Sequence, residues 1–222
     1  MCGIIGYIGT ENAVPIILDG LKRLEYRGYD SSGIAVMNRN GFEVAKQKGR
    51  LSSLENLIRQ KPITGYMGIG HTRWATHGEP SDINSHPHLG NQNKIAIVHN
   101  GIIENYKQIK ERLEQKGINF VSQTDSEVIA QLAEYYHTGD IIETIIKTAN
   151  ALEGSYALGI MCLDEPDKLV AIKKDNPLIV GVSEHGNFIA SDVPAVLAHT
   201  NRVYYLDDKE IAVLSKDKVE FY

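Results

Sequence analysis

The chain opens with MCGIIGYIG, residues 1–9, where a cysteine stands directly behind the initiator methionine and directly before a glycine. The apolar run after Gly3 predicts a buried β-strand, and free cysteines are most often buried as small apolar side chains. A second interpretation makes Cys2 a nucleophile whose own α-amine, exposed when Met1 is removed, acts as its base. Position alone favours the buried interpretation, so the rest of the sequence has to decide.

The composition excludes several classes of function. The chain has 222 residues, 42% hydrophobic and 23% charged, with a formal net charge of −5. This is enough for one domain with a full core, and an acidic chain does not suggest nucleic-acid binding. No apolar run approaches membrane-spanning length, and two cysteines cannot form a disulfide framework. We therefore expect a cytoplasmic protein without nucleic-acid or membrane partners.

Helix signals follow the opening strand. Asn12 is a favoured capping residue, and the apolar spacing behind it predicts a helix through about Leu24. A second apolar stripe predicts a helix over residues 105–116, with Gly117 as its stop. Residues 192–199 are consistent with one more short helix.

Two further helices are predicted from the spacing of a capping box, Thr124 with Glu127 and Asp140 with Glu143. About a dozen strands and five or six helices result, and the helices do not alternate strictly with the strands. Mostly antiparallel sheet with helices on its faces fits this order better than a doubly wound parallel sheet. The polar segment 79–93 is long and rich in turn formers, which predicts a functional loop such as a lid.

A cysteine nucleophile needs a base and a stabiliser for the oxyanion that it creates. A cysteine thiol titrates at about 8.5 and an α-amine at about 7.7–8.0, so a chain-terminal amine is well matched to accept the thiol proton near neutral pH. This mechanism requires that Met1 be removed.

Further segments carry side chains that could complete such a site, and each also has a structural explanation. Arg73, in GHTRWATHG (residues 70–78), offers a planar fork for a carboxylate, or a surface ion pair. Asn100 and Gly101, in HNGIIEN (residues 99–105), form a common hairpin dipeptide that could also supply two oxyanion donors. TDSE, residues 124–127, is explained as a helix cap.

Five histidines fall within thirty residues: His71, His77, His86, His88 and His99. A zinc site among them is conceivable. However, the sequence has no HExxH motif, no CxxC pair and no helical histidine pair three or four residues apart. We therefore expect no metal and no other cofactor.

Together these segments resemble the glutaminase domains of the glucosamine-6-phosphate synthase family, which are class II glutamine amidotransferases. The resemblance runs from residue 2 to the end of the chain. The motifs that carry it, in order, are MCGIIGYIG, LEYRGYDSSG, GHTRWATHGEP, HPH, VHNGIIENY, TDSEVI, SYALGIM and FIASD. It implies an α+β fold, the four-layer αββα sandwich of the N-terminal nucleophile hydrolases, over residues 1–222.

The resemblance also implies roles for individual residues. Cys2 is expected as the nucleophile, with Asn100 and Gly101 as the oxyanion hole. Arg73 is expected to hold the α-carboxylate of L-glutamine and Asp125 its α-ammonium group. The remaining expected residues are Thr76 and His77 lining the pocket, Trp74 as a gate for ammonia, and Arg27 and His86 in supporting positions.

The implied function is hydrolysis of L-glutamine, with the ammonia passing to sugar-phosphate isomerase domains that bind fructose 6-phosphate. Those domains are not in this sequence, so we expect an excised domain of a homodimeric protein that makes no glucosamine 6-phosphate by itself. Three alternatives remain open: the glutaminase domain of another class II amidotransferase, a non-catalytic glutamine sensor, and a self-processing protease or acylase that shares the nucleophile.

Overall fold

The opening strand predicted from the sequence lies at the centre of a seven-stranded antiparallel sheet. In the computed structural model, which describes residues 2–75 and 77–222, every residue of this strand is buried. In spatial order the first sheet contains β11 (Val203–Tyr205), β9 (Ile179–Ser183), β10 (Gly186–Ala190), β1 (Gly3–Gly9), β4 (Met67–Arg73), β2 (Ser31–Asn38) and β3 (Gly41–Lys48).

A second antiparallel sheet of six strands stacks against the first. In spatial order it contains β13 (Val219–Phe221), β12 (Ile211–Leu214), β8 (Leu169–Lys174), β7 (Gly154–Cys162), β6 (Ile95–Ile103) and β5 (His88–Leu89). Apolar side chains from the facing sides of the two sheets form one core layer, in which Ile4 and Ile69 of the first sheet cluster with Val98 and Met161 of the second. Such interdigitation is the usual packing of stacked sheets.

Helices cover the two outer faces. Those on the first sheet are α1 (Ala13–Arg23) and α2 (Leu51–Gln60), and those on the second are α3 (Tyr106–Glu114), α4 (Glu127–Tyr136) and α5 (Ile141–Ala151). Each helix buries an apolar stripe against its sheet, as Ile17 and Leu21 do in α1. The layers therefore run helix, sheet, sheet, helix, and the predicted four-layer αββα sandwich is confirmed. Among the described residues, no helix is long and apolar enough to cross a membrane.

Most helix predictions are confirmed. The Asn12 side chain accepts a hydrogen bond from the Val14 N–H and caps α1, and Asp140 accepts one from the Glu143 N–H and caps α5. The predicted helix over residues 192–199 is wrong, because the chain makes only a single 3₁₀ turn there, over Val193–Ala195. Helix α2 is additional to the predictions.

Of the two hydrogen bonds in the capping box predicted at Thr124 and Glu127, only the one accepted by Thr124 forms. The Thr124 hydroxyl accepts from the Glu127 N–H at 3.3 Å, as predicted. The Glu127 carboxylate, however, accepts from the backbone N–H groups of Val121 and Ser122, at 2.9 and 2.6 Å, and so pins the segment that leads into α4. The Glu127 side chain thereby fixes the approach to α4.

The segment 79–93 is less like a lid than the sequence suggests. Its centre is buried, including Asn84, Ser85, His86 and His88. His88 belongs to β5, where it pairs with Ile97 of β6 and adds an edge strand to the second sheet. The turn-forming residues therefore bring buried polar side chains inward instead of forming an exposed flap.

Candidate active site

The register between β1 and β4 places Cys2 beside the end of β4. Gly3 pairs with Thr72, so Cys2, one residue before the strand, lies next to the backbone that follows Arg73. The Trp74 N–H donates to Cys2 Sγ at 3.2 Å. A Cβ atom at position 3 would lie 2.6 Å from Thr72 Oγ1, which explains the glycine behind the cysteine. Burial raises the pKa of the Cys2 thiol, so the resting side chain is protonated at neutral pH.

Asn100 reaches the same point from the second sheet. Its Nδ2 donates to the Cys2 carbonyl oxygen at 2.9 Å, and its Oδ1 lies 2.9 Å from Nε2 of His71. Burial lowers the pKa of His71 to about 3, so the ring is neutral and carries one N–H. His71 Nε2 also faces the His99 carbonyl at 3.1 Å, and two acceptors at one nitrogen place the proton there. His71 thus orients the Asn100 amide with its NH2 group toward Cys2.

Gly101 follows Asn100 in β6 and requires glycine. Its φ is +135°, a conformation that side chains other than glycine rarely adopt. A Cβ atom there would lie 2.1 Å from the Ser155 carbonyl oxygen. Position 101 therefore lines the same cleft as Cys2 with backbone alone.

Arg73 is buried rather than exposed, with 4% of its surface accessible, so the surface ion pair considered from the sequence is excluded. Its guanidinium donates to the backbone carbonyls of His77, Gly78 and Glu79, and these bonds account for three of its five donors. Burial lowers the pKa of Arg73, while the nearby carboxylates of Asp30 and Asp125 favour its charged form. The Arg73 side chain thus holds the backbone after β4 by hydrogen bonds, and its positive charge lies at the cleft.

Asp125 is the opposite charge in the same cleft. The side chain is buried, and its Oδ2 accepts from the Ile103 N–H at 2.8 Å. This bond ties the TDSE segment to the end of β6, three residues after Asn100. Its charge favours the charged form of Arg73, and a carboxylate in this cleft also suits a ligand with a positive group.

These side chains line one narrow cleft of about 30 Å³. Its polar lining combines a thiol, a guanidinium and a carboxylate, so the chemistry of the lining matches the charges of a small zwitterion. The lining residues are Cys2, Arg73, Trp74, His77, His86, His99, Gly101, Thr124, Asp125 and Ser126.

The predicted pocket residues divide into three groups. His77 and His86 line the cleft, and Trp74 stands at its rim with 49% of its surface exposed and its ring edge against Tyr29. Arg27 does not line the cleft: its guanidinium pairs with Asp192 at 2.6 Å and joins the LEYRGYDSSG segment to the FIASD segment. Thr76 and Met1 lie outside the described residues.

Sequence reasoning missed four polar contributors: His71, His99, Thr124 and Ser126 were not assigned to the site. His99 donates or accepts at Ser126 Oγ, 2.8 Å away, and Thr124 Oγ1 lies 3.1 Å from His88 Nε2. The signal was present, because these residues lie in the same motifs as Arg73, Asn100 and Asp125, but each had an adequate explanation as a strand or cap residue.

Four of the five clustered histidines pack against one another at the floor of the cleft. The His86 ring stacks on His71 at 4.1 Å and meets the edge of His88 at 4.6 Å. Burial lowers the pKa of all four, including His99, so they are neutral rings at physiological pH. The clustering of these histidines in the sequence is therefore explained by their packing and hydrogen bonding beneath the Cys2 thiol.

Comparison with known proteins identifies relatives over the whole chain. The family model described as "Glutamine amidotransferase domain" matches residues 55–220. The chain is 58% identical over 221 residues to a glutamine–fructose-6-phosphate aminotransferase [isomerizing] of Caldanaerobacter subterraneus subsp. tengcongensis, covering 100% of this chain and 36% of that protein. A protein of the same name from Aquifex aeolicus is 48% identical over 222 residues, with 100% and 38% covered. The chain thus spans little more than a third of these relatives.

Solved structures share the fold. A structure described as the allosteric regulatory enzyme of purine biosynthesis superposes with a TM-score of 0.88 at 26% identity, covering 100% of this chain and 48% of the other. The glutamine phosphoribosylpyrophosphate amidotransferase of B. subtilis superposes with a TM-score of 0.85, also at 26% identity, covering 100% and 49%. The two-sheet sandwich is therefore that of the N-terminal nucleophile amidotransferases.

Proposed function

The chain belongs to the glutamine amidotransferase domain family, and from this premise we propose that it hydrolyses L-glutamine to L-glutamate and ammonia through a thioester on Cys2. The observation that carries the proposal is the convergence of a thiol, a guanidinium and a carboxylate in one small cleft. Arg73 pairs with the α-carboxylate of glutamine and Asp125 with its α-ammonium group, so the free amino-acid head is recognised at both charges.

The proposed base is the α-amine of Cys2, exposed by removal of Met1. This amine takes the thiol proton, and the thiolate attacks the side-chain amide carbon of glutamine. The oxyanion that forms is stabilised by the Asn100 NH2 group, which already points at Cys2, and by the Gly101 N–H. The protonated amine then gives its proton to the departing NH2 group, which leaves as ammonia.

Hydrolysis of the thioester uses the same groups in reverse roles. Water loses a proton to the amine and attacks the thioester carbon, and the second oxyanion occupies the same two donors. The carbon–sulfur bond breaks, the amine returns its proton to Cys2 Sγ, and glutamate leaves. Because burial raises the pKa of the Cys2 thiol, a base has to take its proton at each turn.

We further propose that the ammonia serves a fructose-6-phosphate aminotransferase portion of a longer, homodimeric, cytoplasmic protein. The names of the relatives and the share of their length that this chain covers support that assignment. Trp74, exposed at the rim of the cleft, is the proposed gate between the thiol and that portion. Two free cysteines are compatible with a reducing compartment.

The test compares the wild type with Asp125→Asn, which keeps the oxygen that accepts from Ile103 but removes the charge. We expect the KM for L-glutamine to rise about 30-fold or more, because a buried charge pair loses one partner. Glutamate and ammonia are measured together, with glutamine blocked at its α-amine as the matched substrate. Wild-type turnover of the blocked substrate at the same rate as glutamine would favour a protease or acylase, and binding without ammonia release would favour a sensor.

A further inference from the structure

The second cysteine lies in a separate polar cluster. Cys162 is the last residue of β7, His137 follows α4, and Asp164 lies in the turn between β7 and β8. His137 Nε2 lies 3.5 Å from Cys162 Sγ and 3.2 Å from Asp164 Oδ2. Nothing in the proposed reaction uses these residues, and none of them lines the Cys2 cleft.

Cys162 Sγ and Asp164 Oδ2 both contact the same atom, His137 Nε2, which differs from the arrangement of a catalytic triad. In a catalytic triad, the two ring nitrogens of the histidine face different partners. Here one nitrogen, Nε2, faces both the sulfur and the carboxylate oxygen, while Nδ1 lies 2.9 Å from Thr144 Oγ1. One nitrogen, one sulfur and one oxygen, all atoms of the kinds that bind Zn²⁺, therefore lie within 4.8 Å of one another.

The tautomer of His137 follows from its second contact. The Thr144 hydroxyl donates to the Asp140 carbonyl at 2.6 Å, so its oxygen accepts from the His137 Nδ1–H. With Nδ1–H engaged in this way, Nε2 is the ring atom that faces both Cys162 Sγ and Asp164 Oδ2. Zinc-bound histidines are oriented in this way by a hydrogen bond from the other ring nitrogen.

Both distances from His137 Nε2 are close to those of a tetrahedral zinc site. Zinc bonds of about 2.3 Å to sulfur and about 2.0–2.2 Å to nitrogen and oxygen place the ligands about 3.6 Å apart for N···S and about 3.4 Å for N···O. The observed separations are 3.5 and 3.2 Å, and the three ligand atoms all lie within 4.8 Å of one another. We propose that His137, Cys162 and Asp164 bind a divalent transition-metal ion, Zn²⁺ by preference, at a site distinct from the Cys2 cleft.

The surroundings define how an ion enters and what it does. Asp164 is exposed, its side chain 41% accessible, while His137 is 5% accessible and Cys162 is buried. The ion enters from the Asp164 side, and water completes the tetrahedron there. Lys94 Nζ lies 3.3 Å from Asp164 Oδ2 and competes with the ion for that oxygen. A bound ion links the end of α4 to the β7–β8 turn.

The first experiment titrates the protein with Co²⁺, whose tetrahedral thiolate complexes give a sulfur-to-cobalt charge-transfer band and visible d–d bands. We expect these bands in the wild type and in Cys2→Ala, and their displacement by Zn²⁺. Cys162→Ser removes the charge-transfer band. Asp164→Asn, at an exposed position that does not endanger folding, weakens the affinity by about 10-fold or more.

The matched control uses two neighbouring lysines. Lys94→Gln removes the competitor and raises the Co²⁺ affinity about two- to fivefold, whereas Lys168→Gln, which breaks the adjacent ion pair with Glu165, leaves it unchanged. The proposal is overturned if folded wild-type protein shows no charge-transfer band, if the band survives in Cys162→Ser, or if it vanishes in Cys2→Ala. In the last case the thiol at the cleft would be the cobalt ligand.

Discussion

The two cysteines of this chain differ in their neighbours more than in their burial. Burial raises the pKa of both thiols, so neither is a thiolate by itself. Cys2 stands at the start of β1 and receives a backbone N–H from Trp74, with the Arg73 guanidinium nearby. Cys162 ends β7 and faces an imidazole nitrogen and a carboxylate. The charged group that distinguishes the first thiol is thus a guanidinium, whereas an imidazole nitrogen and a carboxylate distinguish the second.

This difference explains why one chain can use the same side chain in two ways. Donors around Cys2 stabilise negative charge that develops during attack on a carbonyl carbon, which is the requirement of acyl transfer. The imidazole nitrogen and the carboxylate oxygen beside Cys162 are ligand atoms that suit a cation. Neighbouring groups, rather than the thiol, therefore decide the chemistry at each position.

The largest expected effect on glutamine turnover comes from Cys2→Ala, which removes the first of the two thiols. Without the nucleophile, glutamine turnover falls by at least about 10⁴-fold, to the background rate. The measurement is glutamate release over time, with retention of the cobalt bands at Cys162 as the control for folding. Turnover near the wild-type rate would remove Cys2 from the mechanism.

Asn100→Ala tests the donor side of the site. Loss of an oxyanion-hole amide lowers kcat by about 10²–10³-fold, because the NH2 group acts on charge that exists only in the transition state. The KM for glutamine is expected to change much less. An equal loss in affinity with an unchanged kcat would place Asn100 in substrate binding instead.

A smaller effect is expected at His71, which positions Asn100 without contacting substrate. His71→Leu removes the donor to Asn100 Oδ1 and leaves the amide free to rotate, so kcat falls about tenfold with little change in KM. His71→Gln offers an N–H in a similar place and is expected to restore part of that loss. If both variants lose kcat equally while their near-ultraviolet circular dichroism stays native, the positioning role is wrong.

Acid destabilises the protein through the buried histidines under Cys2. Burial lowers the pKa of His71, His86, His88 and His99 in the folded state, so between about pH 6.5 and pH 3 the unfolded chain binds more protons than the native one. The free energy of unfolding therefore falls as the pH falls, by up to about 1.4 kcal/mol per pH unit for each histidine. Urea unfolding at about pH 7.5, 6.5 and 5.5 measures this slope. A stability that is flat or rises toward pH 5.5 would contradict the account.

Local signals predicted much of the fold, and long-range contacts explain the errors. Helix α1 follows from the Asn12 cap and an apolar stripe, both readable within a dozen residues. Helix α2 was missed although Leu51, Leu54 and Ile58 have helical spacing, because Arg50 at its N-cap makes no side-chain capping bond and gives no start signal.

The site residues show the same division. Arg73 and Asp125 were expected in the pocket, and the fold brings both into one cleft. Arg27 was expected to support that pocket, and in the structure its guanidinium pairs with Asp192. Asp192 lies 165 positions further along the chain, so no local sequence pattern predicts this pair. The cluster at Cys162 was missed for this reason too, because the packing of α4 on the second sheet assembles it.

The most direct test of the central claim is a mass spectrum of protein treated with an electrophilic glutamine analogue of the diazo-ketone type. The sample is first shown to begin at Cys2, since the proposed base exists only after Met1 has been removed. We predict one adduct, on Cys2, that excess glutamine prevents. An adduct on Cys162, or none at all on folded protein that begins at Cys2, would contradict the assignment of the two thiols.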